Sequence, residues 1–208
     1  MHLSLRNLAL VEEFDYNFIR SALSDYKNPR VKINDLIKKG EIIRVKKGLY
    51  VFGSKLSQQP YSKETLANLI YGPSYISLEY ALSFYGLIPE RVETLTSVTN
   101  KKNKLFHTPV GNFSYRYINP LLYSYGVTLH KIDQRHSILI ATKEKAVSDM
   151  LYFSDRMTDL SDVEKYLFEN LRLSKRDISK FKLKEVKKMA MLYGHNVNLF
   201  YGLLEKMK

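Results

Sequence analysis

The sequence predicts an α+β fold: a short helical part that ends in a β-hairpin, then a mixed α/β part with a small sheet and a helical C-terminus. Three observations lead to this prediction. Apolar residues recur at helical spacing over residues 1–40. β-branched and aromatic runs separated by Asn, Pro and Gly fill residues 92–141, and a helical pattern returns from residue 142 to the end.

The N-terminal part is expected to begin with three short helices. The first begins near Ser4 and the second near Asp15, because Ser and Asp side chains accept hydrogen bonds from the free N–H groups of a helix start. Pro29 suits the first position of the third helix, which is expected to run to about Lys39 and to stop at Gly40.

A β-hairpin is predicted to follow the third helix. Residues 42–45 and 49–52 are rich in β-branched and aromatic side chains, and Lys46-Lys47-Gly48 joins them with a glycine suited to a left-handed turn. Three short helices and a two-stranded wing are typical of a winged helix-turn-helix. We therefore assign residues 1–56 to such a domain.

A second domain is expected over residues 63–208, because the polar stretch GSKLSQQPYS at 53–62 resembles a linker. Helices are predicted over residues 63–71 and 77–85, and a sheet of four or five strands over residues 92–141. The remaining helices complete the chain.

The charge of the chain favours a polyanionic partner. Its 208 residues include 33 Lys and Arg against 21 Asp and Glu, a formal net charge of +12. Residues 1–26 carry a net charge of −2, whereas residues 27–55 carry +7. The positive charge of the N-terminal part therefore coincides with the third helix and the hairpin, and double-stranded DNA is the expected partner.

Other classes of function have less support in the sequence. The absence of cysteine excludes disulfides, thiolate zinc sites and a cysteine nucleophile. The five histidines are scattered, so we expect no metal. Because the sequence also has no phosphate-binding glycine loop and no hydrolase nucleophile motif, we expect no cofactor and no enzymatic activity. Neither a signal peptide nor an apolar run long enough to cross a membrane is present, and we expect a cytoplasmic protein without membrane contacts.

Eight residues of the third helix and the hairpin are candidate DNA contacts. They are Arg30, Val31, Lys32, Asn34, Lys38, Arg44, Lys46 and Lys47. Arg30 suits the acceptors of guanine, Asn34 suits the edge of adenine, and Val31 suits the methyl group of thymine. The basic residues of the hairpin are expected at phosphates. The alternatives are a solvated helix face and a lysine pair that keeps the hairpin soluble.

A second basic segment, from Arg172 to Lys188, has three open interpretations. It is a further contact to the DNA backbone, a docking surface for an acidic partner, or a set of solvated helix faces.

Four strings resemble the AbiE family of antitoxins. The string KKGEIIRVKKGLYVF is similar to the wing of that family, and LIYGPSYISLEYALSFYGLIPE, FHTPVGNFSYRYI and IATKEKAVSDMLYF are similar to its second domain. The resemblance implies a winged-helix domain followed by an α/β antitoxin domain. It also implies an autorepressor that binds inverted repeats in its own promoter and counteracts a nucleotidyltransferase toxin, without requiring direct contact with the toxin.

Two other functions remain open from the sequence. One is a general nucleic-acid-binding or processing protein with a winged-helix domain, and the other is an interaction module whose winged domain binds protein. The salt dependence of DNA affinity separates the second from a DNA-binding regulator.

Overall fold

The computed structural model describes residues 2–208, with side chains from residue 5 onwards. The N-terminal part contains α1 (His2–Leu8), β1 (Glu13–Asp15), α2 (Tyr16–Ala22), α3 (Pro29–Lys38), β2 (Ile42–Lys46) and β3 (Leu49–Phe52). The middle part contains α4 (Lys63–Ile70), β4 (Ser74–Ile76), α5 (Leu78–Phe84), β5 (Leu95–Thr99), β6 (Lys104–Thr108), β7 (Gly111–Tyr117), α6 (Pro120–Tyr123), β8 (Val127–Lys131) and β9 (Ser137–Ala141). The C-terminal part contains α7 (Lys143–Phe153), α8 (Leu160–Glu164), a π-helical turn (Lys165–Asn170), α9 (Lys175–Ile178), α10 (Leu183–Tyr193) and α11 (His195–Lys206). The fold is thus α+β, as the sequence predicts.

The helices of the N-terminal part largely follow their sequence signals. Asp15 accepts a hydrogen bond of 2.8 Å from the backbone N–H of Phe18 and so caps α2. Pro29 occupies the first position of α3, and Gly40 follows that helix with φ of 68°. The first helix differs from the prediction, because it begins at His2, before Ser4.

A short strand between α1 and α2 was not expected from the sequence. This strand, β1, pairs antiparallel with β3, and β3 pairs antiparallel with β2, so β3 is the central strand of a three-stranded sheet. The hairpin turn is as predicted, since Gly48 has φ of 87°. The register of the hairpin shifts between Arg44 and Lys46, which is a β-bulge.

The second sheet has six strands within residues 2–208, in the order β6-β7-β5-β4-β9-β8. The pairs β5–β7 and β4–β9 are parallel, and the other neighbours are antiparallel. The prediction of four or five strands omitted β4, which occupies the middle of the sheet. The five strands that the sequence predicts all form.

The two halves of the molecule meet at the hairpin. Tyr50 and Phe52 point into the smaller apolar cluster, which the helices of the N-terminal part surround. Val45, Leu49 and Val51 belong instead to the larger cluster, formed mostly by residues after 63. The strand β3 is therefore buried on both faces. The N-terminal part is joined to the rest of the molecule by apolar contacts of the hairpin as well as by the chain at residues 53–62.

The segment at 53–62 is held by two buried carboxylates. Glu12 accepts hydrogen bonds of 3.3 Å from the backbone N–H groups of Gln58 and Gln59, and Glu13 accepts one from the N–H of Ser62. Glu12 itself pairs with the buried guanidinium of Arg6 at 3.2 Å. The second half of the expected linker is thus fixed by carboxylates from the first fifteen residues.

Candidate nucleic-acid interface

A basic groove lies between α3 and the hairpin β2–β3. Its volume is about 610 Å³. The lining residues are Tyr16, Arg30, Ile33, Asn34, Arg44, Lys47, Gly48 and Tyr50. Four of the eight residues predicted from the sequence therefore meet in one place: Arg30, Asn34, Arg44 and Lys47.

The local sequence explains why these four side chains meet. Ile33 and Leu36 are buried beneath α3, so Arg30 and Asn34, four residues apart, lie together on an exposed face of that helix. On the other side of the groove, the bulge in β2 and the left-handed turn at Gly48 change the direction of the chain. Lys47 thereby faces the same groove as Arg44.

The electrostatics of the groove favour an anion. Arg30, Arg44 and Lys47 are exposed cations, and no carboxylate is among the described residues that line the groove. The side chain of Arg30 is positioned by a long hydrogen bond, 3.5 Å from Nε to the hydroxyl of Tyr16, which raises the pKa of the guanidinium above its already high value. The groove can therefore accept a phosphate or the acceptor atoms of a base edge.

Val31 lies beside this groove in a second, adjoining one. It is 67% exposed, and the second groove of about 540 Å³ is lined by Tyr16, Arg20, Asn28, Pro29, Arg30 and Val31. Arg30 and Tyr16 border both grooves. An apolar side chain this exposed, in one groove with Arg20 and Arg30, is suited to contact the methyl group of a thymine in DNA.

Lys32 and Lys38 lie outside both grooves. The ammonium of Lys32 is 3.4 Å from Asp35 and 5.6 Å from the ring centre of Tyr26, so it is directed along the helix surface. Asp35 also pairs with Lys39 at 3.0 Å. The contact with Lys39 is the main cause of a lowered pKa of the Asp35 carboxyl group, and the contact with Lys32 adds to it. Lys38 is exposed at the C-terminal end of α3.

Lys46 requires a correction. The sequence places it beside Lys47 at the tip of the wing, but its half-buried ammonium donates a hydrogen bond to the carbonyl of Ile70 at the end of α4. The bulge after Arg44 turns this side chain toward the second sheet. Lys46 therefore does not line the groove with Lys47.

Sequence reasoning missed two residues of the interface, Tyr16 and Arg20. Both belong to α2 and reach the grooves beside α3. Their spacing of four residues, just after the cap Asp15, was the available signal, since it places both on one face of a short helix.

The basic segment from Arg172 to Lys188 is largely engaged within the molecule. Arg172 pairs with Glu90, and Lys180 pairs with Asp177 at 2.8 Å. The ammonium groups of other lysines lie over aromatic rings: Lys175 over Phe168, Lys187 over Tyr201 and Lys188 over Tyr125. The role of this segment stays a prediction, with its three interpretations open.

Metal-binding clusters and membrane-spanning helices are both absent from the described residues. Among the side chains described, those of residues 5–208, no group of three or more His, Asp or Glu could hold a metal ion. In the same part of the chain, no helix has the length and apolar character needed to cross a membrane.

No family model matches the chain, and no curated protein matches it. The function proposed below is therefore argued from the residues of this chain.

Proposed function

We propose that the protein is a sequence-specific DNA-binding regulator. In this proposal residues 1–56 form a winged helix-turn-helix, α3 is the recognition helix that enters the major groove, and β2–β3 is the wing. The supporting observation is the groove in which Arg30, Asn34, Arg44 and Lys47 meet without a carboxylate among the described lining residues.

The composition of the groove favours sequence reading over general nucleic-acid binding. A protein that holds any nucleic acid needs cations at phosphates, and Arg44 and Lys47 meet that need. Asn34 is a neutral amide between the cations, and it adds little to phosphate binding, but it matches the paired donor and acceptor on the edge of adenine. With Arg30 one helical turn earlier, α3 presents two base-reading side chains.

The wider role follows from the resemblance to the AbiE antitoxins. We propose that the DNA site is the promoter of the protein's own operon, at inverted repeats, and that the protein counteracts a nucleotidyltransferase toxin encoded beside it. The geometry of the groove supports only the DNA-binding part. One of the four strings that carry the resemblance covers the end of α3 and the hairpin, and the other three lie in the second half, at residues 69–90, 106–118 and 140–153.

Binding isotherms of the full chain test the proposal. The wild type should prefer the duplex upstream of its gene over a scrambled duplex of equal length. Arg30→Ala and Asn34→Ala should each weaken binding to the upstream duplex by about 1–3 kcal/mol and reduce that preference, because each removes a contact to one base.

Lys47→Ala should weaken both duplexes alike and lower the slope of log affinity against log salt by about 0.9, the value expected when one phosphate is no longer neutralised. Lys206→Ala, an exposed lysine at the end of α11, is the matched control and should change neither quantity. Equal affinity of the wild type for both duplexes, unaffected by Arg30→Ala, would contradict the proposal.

A further inference from the structure

Three lysines gather around the C-terminal end of α4, beside the hairpin. This lysine cluster consists of Lys46, Lys101 and Lys104. Lys46 donates to the carbonyl of Ile70, and Lys101 donates to the carbonyl of Gly72 at 2.6 Å. The ammonium groups of Lys101 and Lys104 are each 5.5 Å from the ring centre of Tyr71.

The charge of the lysine cluster is not compensated within the described residues. None of its ammonium groups lies within 4.0 Å of a carboxylate oxygen in that part of the chain. The C-terminal end of α4 contributes only about half a negative charge, which is far less than three positive charges. Burial, and then repulsion from Lys101 and Lys104, lower the pKa of Lys46.

The lysine cluster also keeps free hydrogen-bond donors. Each ammonium group has three N–H donors. Lys46 and Lys101 each donate to one backbone carbonyl, and Lys104 contacts the faces of Tyr71 and Phe106, with its ammonium 5.2 Å from the centre of the latter ring. The remaining donors suit the oxygens of a phosphate, which accepts several hydrogen bonds and adds the missing negative charge.

The hairpin turn connects this cluster to the basic groove. Lys46 and Lys47 are consecutive, yet Lys47 lines the groove and Lys46 reaches the end of α4. Cations therefore lie on both sides of the hairpin turn. Arg44 and Lys47 lie at the groove, whereas Lys46 lies at the end of α4 with Lys101 and Lys104, which belong to the β5–β6 turn and the start of β6.

We propose that Lys46, Lys101 and Lys104 form a phosphate-binding site for the DNA backbone, so that the second half of the molecule holds the duplex beside the sequence that α3 reads. This inference rests on the proposed function. The inference goes beyond the proposed function because it assigns DNA contacts to residues outside the winged part, in particular to the turn between β5 and β6.

The test uses the full chain with Lys101→Gln and Lys104→Gln combined, and a random-sequence DNA duplex several helical turns long. The double variant should bind more weakly and lower the slope of log affinity against log salt by about 0.9 for each phosphate that is no longer neutralised. When the duplex upstream of the gene is used instead and shortened one base pair at a time, the difference between the double variant and the wild type should disappear at a length where Arg30→Ala still weakens binding.

Three controls separate the possible outcomes. Lys131→Gln with Lys206→Gln removes the same charge from exposed positions elsewhere and should keep the wild-type slope. Lys101→Arg with Lys104→Arg keeps the charge and should retain most of the slope. If the glutamine variant is also less stable, this control shows that the loss of charge, and not the loss of stability, lowers the slope. A melting temperature lowered by the glutamine variant at an unchanged slope would mean that these lysines only stabilise the end of α4, and would overturn the inference.

The inference and the proposed function can fail separately. If the wild type binds duplex DNA and Arg30→Ala weakens that binding, but the glutamine variant keeps the wild-type slope, only the phosphate site is wrong. If the wild type binds no duplex at all, both are wrong.

Discussion

Asp149 on α7 is fully buried and receives hydrogen bonds from three hydroxyl groups. Tyr75 donates at 3.0 Å, Ser77 at 2.7 Å and Tyr193 at 2.5 Å, and the buried ammonium of Lys145 lies 3.3 Å away. Burial lowers the pKa of Lys145, and the nearby Asp149 opposes that shift. The network joins β4, α7 and α10, and it includes residues from two of the strings that resemble the antitoxin family.

Asp149→Ala should destabilise the protein by about 3–5 kcal/mol, because it leaves the ammonium of Lys145 buried without a counter-charge. Unfolding in urea measures this cost. Asp155→Ala, which removes an exposed carboxylate from the loop after α7, is the control and should stay within about 0.5 kcal/mol of the wild type. A cost for Asp149→Ala no larger than that of the control would show that the network contributes little to stability.

The base-reading candidates of α3 could be predicted from local sequence, because a helix with Ile33 and Leu36 inside must place Arg30 and Asn34 outside. The direction of Lys46 could not, since its hydrogen-bond partner Ile70 lies 24 residues further along the chain. Contacts of this kind depend on how distant elements pack. The local sequence around a residue does not show that packing.

At the scale of elements, the same limit applies to the shortest strands. The strands β1 and β4 have three residues each, too few to show an alternation of polar and apolar side chains. The strands of five or more residues in the second sheet were all predicted, because β-branched residues and bounding turns mark them. The missed strands are important, since β4 is central in one sheet and β1 brings Glu13 to the contact between the halves.

Glu13 on β1 meets His136, which immediately precedes β9. The two ring nitrogens of His136 contact carboxylates on both sides: Nε2 lies 3.1 Å from Glu13, and Nδ1 lies 2.7 Å from Asp133. Burial by itself would lower the pKa of His136, but the hydrogen bonds to Asp133 and Glu13 outweigh it, and the pKa is raised. The same contact and backbone N–H groups lower the pKa of Asp133 to about 2.

The stability that this contact supplies should depend on pH in both directions. A raised histidine pKa contributes stability that is complete below the unfolded value of about 6.5 and is lost as pH rises through the folded pKa. The lowered pKa of Asp133 contributes stability above its unfolded value, which is lost as pH falls toward 2. The contribution should therefore be largest between about pH 4 and 6.5.

Urea unfolding of the wild type and His136→Gln across this range measures the effect. The difference in unfolding free energy between the two proteins should shrink as pH rises above the range. Gln134→Ala, at an exposed residue of the same loop that does not titrate, should show a difference that stays constant. A pH-independent difference for His136→Gln would mean that the imidazole has the same pKa in the folded and unfolded states, and would contradict the prediction.

For the whole molecule, the sequence predicts two domains separated by a linker, but the contacts of the hairpin argue against independent folding of residues 1–56. Val45, Leu49 and Val51 on the hairpin are buried against the larger cluster. Removing residues 57–208 would expose all three, at about 1.5–3 kcal/mol for each fully exposed side chain. That total is comparable with the entire stability of a small domain.

A fragment of residues 1–56 should therefore show little cooperative unfolding by circular dichroism, whereas the full chain should unfold with a sharp transition. Replacing Val45, Leu49 and Val51 by Thr in the fragment, to make the newly exposed face polar, should improve its solubility without restoring its stability. A fragment as stable as the same segment in the full chain would contradict this expectation. Footprinting of the DNA site is best done with the full chain for the same reason.

The double burial of β3 also constrains how this protein can change during evolution. Its alternate positions pack against different neighbours: Tyr50 and Phe52 pack against the helices of the N-terminal part, while Leu49 and Val51 pack against the second half. Among related sequences, substitutions at the even positions should therefore covary with α1 and α2, and those at the odd positions with the larger cluster. Under the proposed function, a new DNA specificity requires changes only on the exposed face of α3, whereas exchange of residues 1–56 for the winged domain of another protein requires redesign of half of β3.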